Sequence, residues 1–188
     1  FTMLTWKRGR NVLAKKFATA SLPIADLVGS LAAGHGPRRV RGTAVFLAAS
    51  SEFTPQALLH NLKHNQVLHA KVIILTILSE RVPRVHADHR VEVQSFGEGI
   101  WRVTARYGFM EQPDIPGLLR SREIADIHID PLQTSFFLGR ETLIPTNKNF
   151  PFWQASYFAL LSRGSQSAMA FFNLPPNRVI ELGTQIEI

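Results

Sequence analysis

Val72-Ile73-Ile74-Leu75-Thr76-Ile77-Leu78 is an apolar run interrupted only by one threonine, and Thr43-Ala44-Val45-Phe46-Leu47-Ala48-Ala49 is a second. Runs of this length without polar alternation suit strands covered on both faces. Between them Thr54-Pro55 has the form of an N-cap followed by a first helical residue, which predicts a helix through about Leu68. Strand, helix and strand in that order predict a parallel pair joined by a right-handed crossover.

Downstream the pattern changes to period two. Val91 and Val93 alternate with Glu92 and Gln94, and Trp101, Val103, Ala105, Tyr107 and Phe109 alternate with Arg102, Thr104 and Arg106. The glycines of Gly97-Glu98-Gly99 between them mark the turn of a hairpin with one buried face. Pro113-Asp114-Ile115-Pro116 is expected to open a short helix to about Ile127. Thr134–Leu138 and Glu141–Ile144 read as strands broken at Gly139 by a bend or bulge. A long aromatic-rich helix is expected from Phe152 to Phe172, stopped by Pro175-Pro176-Asn177. A last strand follows, with Ile180, Leu182, Ile186 and Ile188 on one face. Upstream, Ile24, Leu27, Val28 and Leu31 mark one apolar helix face, ended by Gly34-His35-Gly36-Pro37. The expected class is α+β: a single domain with a mixed β-sheet, one β-α-β unit plus antiparallel hairpins, and flanking helices.

The chain has 188 residues, 45% apolar and 19% charged, and no cysteine. The apolar share excludes a disordered chain, and the missing cysteines exclude a disulfide framework, thiolate metal sites and thiol catalysis. Charge is unevenly placed. Residues 1–41 carry Lys7, Arg8, Arg10, Lys15, Lys16, Arg38, Arg39 and Arg41 against Asp26, which accounts for the whole net charge of +7. The rest is neutral, and a neutral body argues against a broad nucleic-acid-binding face.

Phe1-Thr2-Met3-Leu4-Thr5-Trp6 is mostly apolar and is followed at once by Lys7-Arg8-Gly9-Arg10. An interfacial tryptophan before a basic cluster is how a spanning helix emerges on the cytoplasmic side. A span takes about 20 residues, so these six would be the stump of a longer helix. The other reading is an ordinary basic N-terminal arm. The order is opposite to that of a signal peptide. On the membrane reading Trp6, Lys7, Arg8 and Arg10 are membrane-proximal. The chain then divides into a helix end with its basic flank (1–10), a juxtamembrane basic and amphipathic linker (11–40) and a cytosolic α+β domain (41–188).

Catalytic motifs are missing: there is no phosphate-cradling glycine loop and no Gly-x-Ser-x-Gly elbow. Ser162, Ser165 and Ser167 fall in the helical stretch. His60-Asn61-Leu62-Lys63-His64-Asn65 is the one cluster with chemical potential, since His60 and His64 share a helical face. Two histidines at that spacing hold zinc only with a third ligand and a glutamate base, which the motif lacks. Its plainer readings are a polar helix face or a set of donors for an anion or nucleotide. Arg102, Arg106 and Arg140 are further candidate phosphate clamps. No catalytic residue, metal or cofactor is assigned.

The stretches Gly42-Thr43-Ala44-Val45-Phe46-Leu47, Leu58–Asn65, Arg106-Tyr107-Gly108-Phe109-Met110-Glu111, Thr134–Thr142 and Pro175–Ile188 stand in one order along the chain. Together they resemble the cytoplasmic C-terminal domain of the Kup-type (KUP/HAK/KT) low-affinity potassium uptake transporters. The resemblance implies a multi-pass parent protein of the inner membrane that imports potassium with protons. The present segment would then lie on the cytoplasmic side as a regulatory, non-enzymatic part. Its implied partners are its own transmembrane domain, a second copy in a homodimer, and anionic lipid headgroups near residues 1–16. In some members of that family a cyclic dinucleotide inhibits uptake. The corresponding alternative here is a nucleotide sensor using His60, Asn61, His64, Arg106 and Arg140. A further alternative is a nucleic-acid-binding protein with a basic arm, which the neutral body disfavours.

Overall fold

The computed structural model describes residues 2–20, 22–31, 33, 36–51, 53–146, 151–163 and 168–187. In chain order these form α1 (Thr2–Ala20), α2 (Ile24–Ser30), β1 (Arg38–Ala48), α3 (Gln56–His60, widened into a π turn over Asn61–Asn65), β2 (Val67–Glu80), β3 (Val91–Gly97), β4 (Ile100–Gly108), α4 (Ile115–Leu118), β5 (Thr134–Ile144), α5 (Phe152–Arg163), α6 (Ala168–Phe171) and β6 (Val179–Glu187). Short 3-10 turns occupy Ala87–His89, Arg122–Ile127, Pro131–Gln133 and Pro176–Arg178. The strands form one mixed sheet in the order β3-β4-β2-β1-β5-β6.

The two continuous apolar runs form the centre of that sheet. β1 pairs in parallel with β2 (Phe46 opposite Ile74) and with β5 (Phe46 opposite Phe137), and β2 pairs in parallel with β4. Burial on both faces follows from strand alternation. Val45, Ile73, Leu75, Val103, Ala105 and Phe136 enter one core with Ile115, Leu118, Leu119, Ile124 and Ile127. Ala44, Phe46, Val72, Ile74 and Phe137 enter the other with Ile24 and Leu27 of α2 and Leu58 of α3. Phe46 and Phe137 stack with centroids 4.5 Å apart across the β1–β5 pair. The α+β class, the β-α-β unit and the packed amphipathic helix stand as the sequence reads.

The hairpin stands in its pairing, with β3 and β4 antiparallel and Val93 opposite Val103, but Phe109, expected on its buried face, lies beyond the end of β4 and is exposed. Glu98 and Gly99 of its turn both have positive φ (51° and 70°), the conformation that two-residue hairpin loops require.

Several element boundaries differ from the sequence reading. The first crossover helix starts at Gln56 behind Pro55, without a side-chain cap, and Thr54 Oγ1 is buried without a partner. It ends at Asn65, because Gln66 turns left-handed (φ 54°) and Asn61 Nδ2 donates to Val67 O at 3.0 Å. β2 therefore begins five residues before the apolar run. β5 passes through Gly139 without a break, where the site of the missing side chain faces open space. The segment 115–127 divides into α4 and a 3-10 turn. The aromatic stretch holds α5 and α6, with 164–167, and so Ser165 and Ser167, outside the described residues.

By contacts the chain falls into two compact units, 22–139 with 168–182, and 1–21 with 140–167 and 183–188. In the smaller unit α1 lays Thr5, Gly9 and Leu13, one helical face, against α5. Thr5 Oγ1 accepts from Gln154 Nε2 at 3.2 Å, and Trp6 packs tilted on Phe158 at 5.4 Å. A methyl group at Gly9 would overlap the buried Phe158 ring, so glycine is what lets these helices approach. Gly29 in α2, by contrast, faces open space. We therefore expect Gly9→Val to cost about 1–3 kcal/mol of unfolding free energy through overpacking, while Gly29→Ala is neutral or stabilises by up to about 1 kcal/mol. Denaturant unfolding of the 188-residue chain measures both, and equal effects at the two positions would contradict the packing.

Candidate functional site

α1 carries Trp6, Lys7, Arg8 and Arg10, the residues that the sequence reading expects beside a membrane. With Thr5, Gly9 and Leu13 turned inward, Lys7, Arg8 and Arg10 are exposed, as are Met3 (82%) and Leu4 (73%) in the first turn. Trp6 is only partly exposed, its ring lying on Phe158. The same unit exposes Trp153 and Leu160 of α5. No helix among the described residues is long and apolar enough to cross a membrane.

The His60 cluster forms at the end of α3. The His60 and His64 rings lie 5.6 Å apart, tilted. Asn61 is buried between the strand and the π turn: it donates to Val67 O and accepts from Asn65 Nδ2 at 2.8 Å. Its amide thus closes the helix and starts β2. His69 lies beyond, in β2, with its ring edge on Phe137, its Nδ1 buried without a partner and its protonation disfavoured by burial. Among the described residues no group of three or more His, Asp or Glu is placed to hold a metal.

The arginines lie elsewhere. Arg106 is opposite Leu78, eleven positions along β2 from Val67, which is about 36 Å at strand rise. There its guanidinium bridges Glu80 (3.2 Å) and Glu92 (3.4 Å). Arg102 donates to Ser51 O at 2.5 Å and to Gln94 Oε1, and stacks over Phe96. Arg140 belongs to the other compact unit. The structure brings His60, Asn61 and His64 together and separates them from Arg106 by more than one mononucleotide can bridge.

Two arrangements escaped the sequence reading. The first is Glu111, whose carboxylate accepts from Gly108 N–H (2.7 Å), Val85 N–H (3.0 Å) and the Arg90 guanidinium. Arg90 also donates to Val85 O and lies over the Tyr107 ring. The carboxylate thus ties the end of β4 to the β2–β3 connection. The second is a pocket of about 490 Å³ in the larger unit, between α4, the loop before β5, β5 itself and the 173–178 segment. Leu119, Phe136 and Leu174 form its apolar part, and Arg120 and Arg178 are the charged residues among the described ones that line it. The sequence reading takes Pro175-Pro176-Asn177 as a helix stop and Pro175–Ile188 as one of the family-like stretches, and not as part of a site.

Residues 41–188 match the family described as the K+ potassium transporter C-terminal domain. The chain belongs to that family. Among its relatives is a probable potassium transport system protein Kup of Myxococcus xanthus, 52% identical over 99% of this chain and 28% of the relative. Proteins of the same description in Pseudomonas aeruginosa and Geobacter sulfurreducens are each 47% identical over 99% of this chain, and 29% and 30% of their own lengths. The chain thus spans less than a third of these Kup relatives. No solved structure matches it.

The hydrogen bonds from Gly108 and Val85, with Arg90 beside them, hold the Glu111 carboxyl below its ordinary value of 4.5. A lowered carboxyl pKa stabilises the fold above the unfolded value and loses that contribution as pH falls through the folded one. Glu111→Gln should therefore lower the melting temperature at pH 7, and the gap from the unsubstituted chain should close as pH drops below about 4.5. Thermal melts at a series of pH values check this. A gap that persists unchanged in acid would contradict the charged clamp.

Proposed function

We propose that this chain is the cytosolic regulatory and assembly domain of a potassium:proton symporter of the inner membrane, and carries no transport chemistry itself. The observation that carries the reading is the match along nearly its whole length to under a third of relatives named as potassium transport proteins. Selecting a dehydrated potassium ion takes rings of carbonyl, hydroxyl or carboxylate oxygens in a low-dielectric pore. On this reading those belong to the remainder of the transporter. The family-matched body hangs below the bilayer on α1 and pairs with a second copy. It biases the gate through a different stability in each transport state.

The basic cluster supports the placement beside lipid. Met3 and Leu4 are exposed in the first turn of α1, with Lys7, Arg8 and Arg10 in the next. Apolar residues followed by cations are the order met on leaving a bilayer with anionic headgroups. Each cation near such a surface contributes about 1 kcal/mol, so replacing Lys7, Arg8 and Arg10 together by Gln should weaken association with phosphatidylglycerol-containing vesicles about a hundredfold at low salt. Unchanged sedimentation with vesicles would remove the lipid contact.

The regulatory role is tested in the intact transporter, by rubidium or potassium uptake with and without residues 42–188. The expected result is altered uptake or lost response to cellular potassium status with the membrane part still inserted. Identical uptake and identical regulation would overturn the reading.

A further inference from the structure

We propose that the pocket between α4 and the Pro175–Arg178 segment is a binding site for a small organic monophosphate with a flat ring, of the nucleoside-monophosphate class. The proposal deepens the regulatory reading by giving it an effector site. Its test reads ligand heat on the chain itself, so it stands or falls separately from potassium uptake.

The pocket's size, about 490 Å³, lies within the roughly 300–1,000 Å³ of small-molecule sites. Its apolar part is fixed. Leu119, Phe136 and Leu174 belong to the core beneath the sheet, each no more than 9% exposed. Pro116, Pro131, Pro175 and Pro176 line the sides, and four locked φ angles make a preformed wall that a ligand need not order. A flat ring covers such a surface; an inorganic anion would leave it wet.

Among the described residues the polar side carries one sign of charge: Arg120 and Arg178 line the pocket and no carboxylate does. Arg178 donates one guanidinium N–H to Pro131 O, which holds the group in place and leaves its other donors for a ligand. Arg120 has no ion-pair partner among the described residues. The neighbouring carboxylates are engaged: Asp130 Oδ1 accepts from Leu132 N–H at 2.9 Å, and Asp114 Oδ1 from Asn173 Nδ2 at 3.4 Å. Two guanidinium groups suit a phosphate, which offers three oxygens to paired donors. Asn173 and Asn177 add amides, whose donor and acceptor match the edge of a heterocyclic ring. A bound phosphate would link the turn after α4, where Arg120 lies, to the segment leading into β6.

Isothermal titration calorimetry of the 188-residue chain with adenosine monophosphate, adenosine and inorganic phosphate tests the site. We expect saturable heat with the monophosphate, and binding at least tenfold weaker for adenosine or phosphate alone. Arg120→Ala and Arg178→Ala should each weaken the monophosphate at least about tenfold, the scale of a hydrogen bond to a charged group. His64→Ala, in the separate α3 cluster, should change nothing. Because Arg178 also braces Pro131, thermal melts accompany each variant, and Arg120→Ala keeps the test decisive if Arg178→Ala is unstable. No heat at millimolar monophosphate, full affinity in Arg120→Ala, loss of binding in His64→Ala, or phosphate binding as tightly as the monophosphate would each overturn the proposal.

Discussion

A parallel strand pair leaves neither face to water, and that constraint organises the larger unit. β1 lies between β2 and β5, parallel to both, so its side chains must be covered alternately above and below. Val45 meets the layer of α4 and the 122–127 turn, while Phe46 meets α2 and α3. Each such buried side chain stabilises by about 1.5–3 kcal/mol. The half-exposed Arg106 pairs with Glu80 and Glu92 contribute at most about 1 kcal/mol each, so the apolar layers decide the fold and the ion pairs trim its edge. The pocket is a consequence of the same layering, formed where short α4 ends on the sheet and proline segments close the gap.

That constraint is also why the centre of the fold was legible. An apolar run without alternation has few solutions, and the runs at Thr43–Ala49 and Val72–Leu78 became adjacent parallel strands. Gly97-Glu98-Gly99 was legible for a different reason, since its backbone needs positive φ at successive positions. Helix ends were not. The crossover helix stops at Asn65 because the Asn61 side chain reaches a strand carbonyl, a tertiary contact that no local spacing announces. Gly139 invited a break, yet β5 runs through it from Thr134 to Ile144.

Candidate sites divided along the same line. The His60–His64 pair was readable because helical periodicity is local, and its rings do lie together. Joining it to Arg106 required knowing which end of β2 each lies beside, which the sequence does not state. The pocket was invisible for the same reason: its lining comes from three separated segments, and none carries a phosphate-binding motif. Glu111 sat in plain sight within Arg106–Glu111, but its partners Val85 and Arg90 come from the other end of the hairpin.

On the proposed reading a charge-neutral folded body lies on the cytoplasmic side of a membrane, and the basic helix α1 has its inner face packed by Gly9 against Phe158. Because the chain has no cysteine, one introduced thiol reports its side without background from this segment. Asp88 is exposed at the β2–β3 connection and suits the substitution Asp88→Cys. In the full-length protein, with cysteines removed from the remainder, a membrane-impermeant maleimide should label that thiol in inverted membrane vesicles and not in intact cells. Labelling in intact cells, before any permeabilisation, would contradict the account.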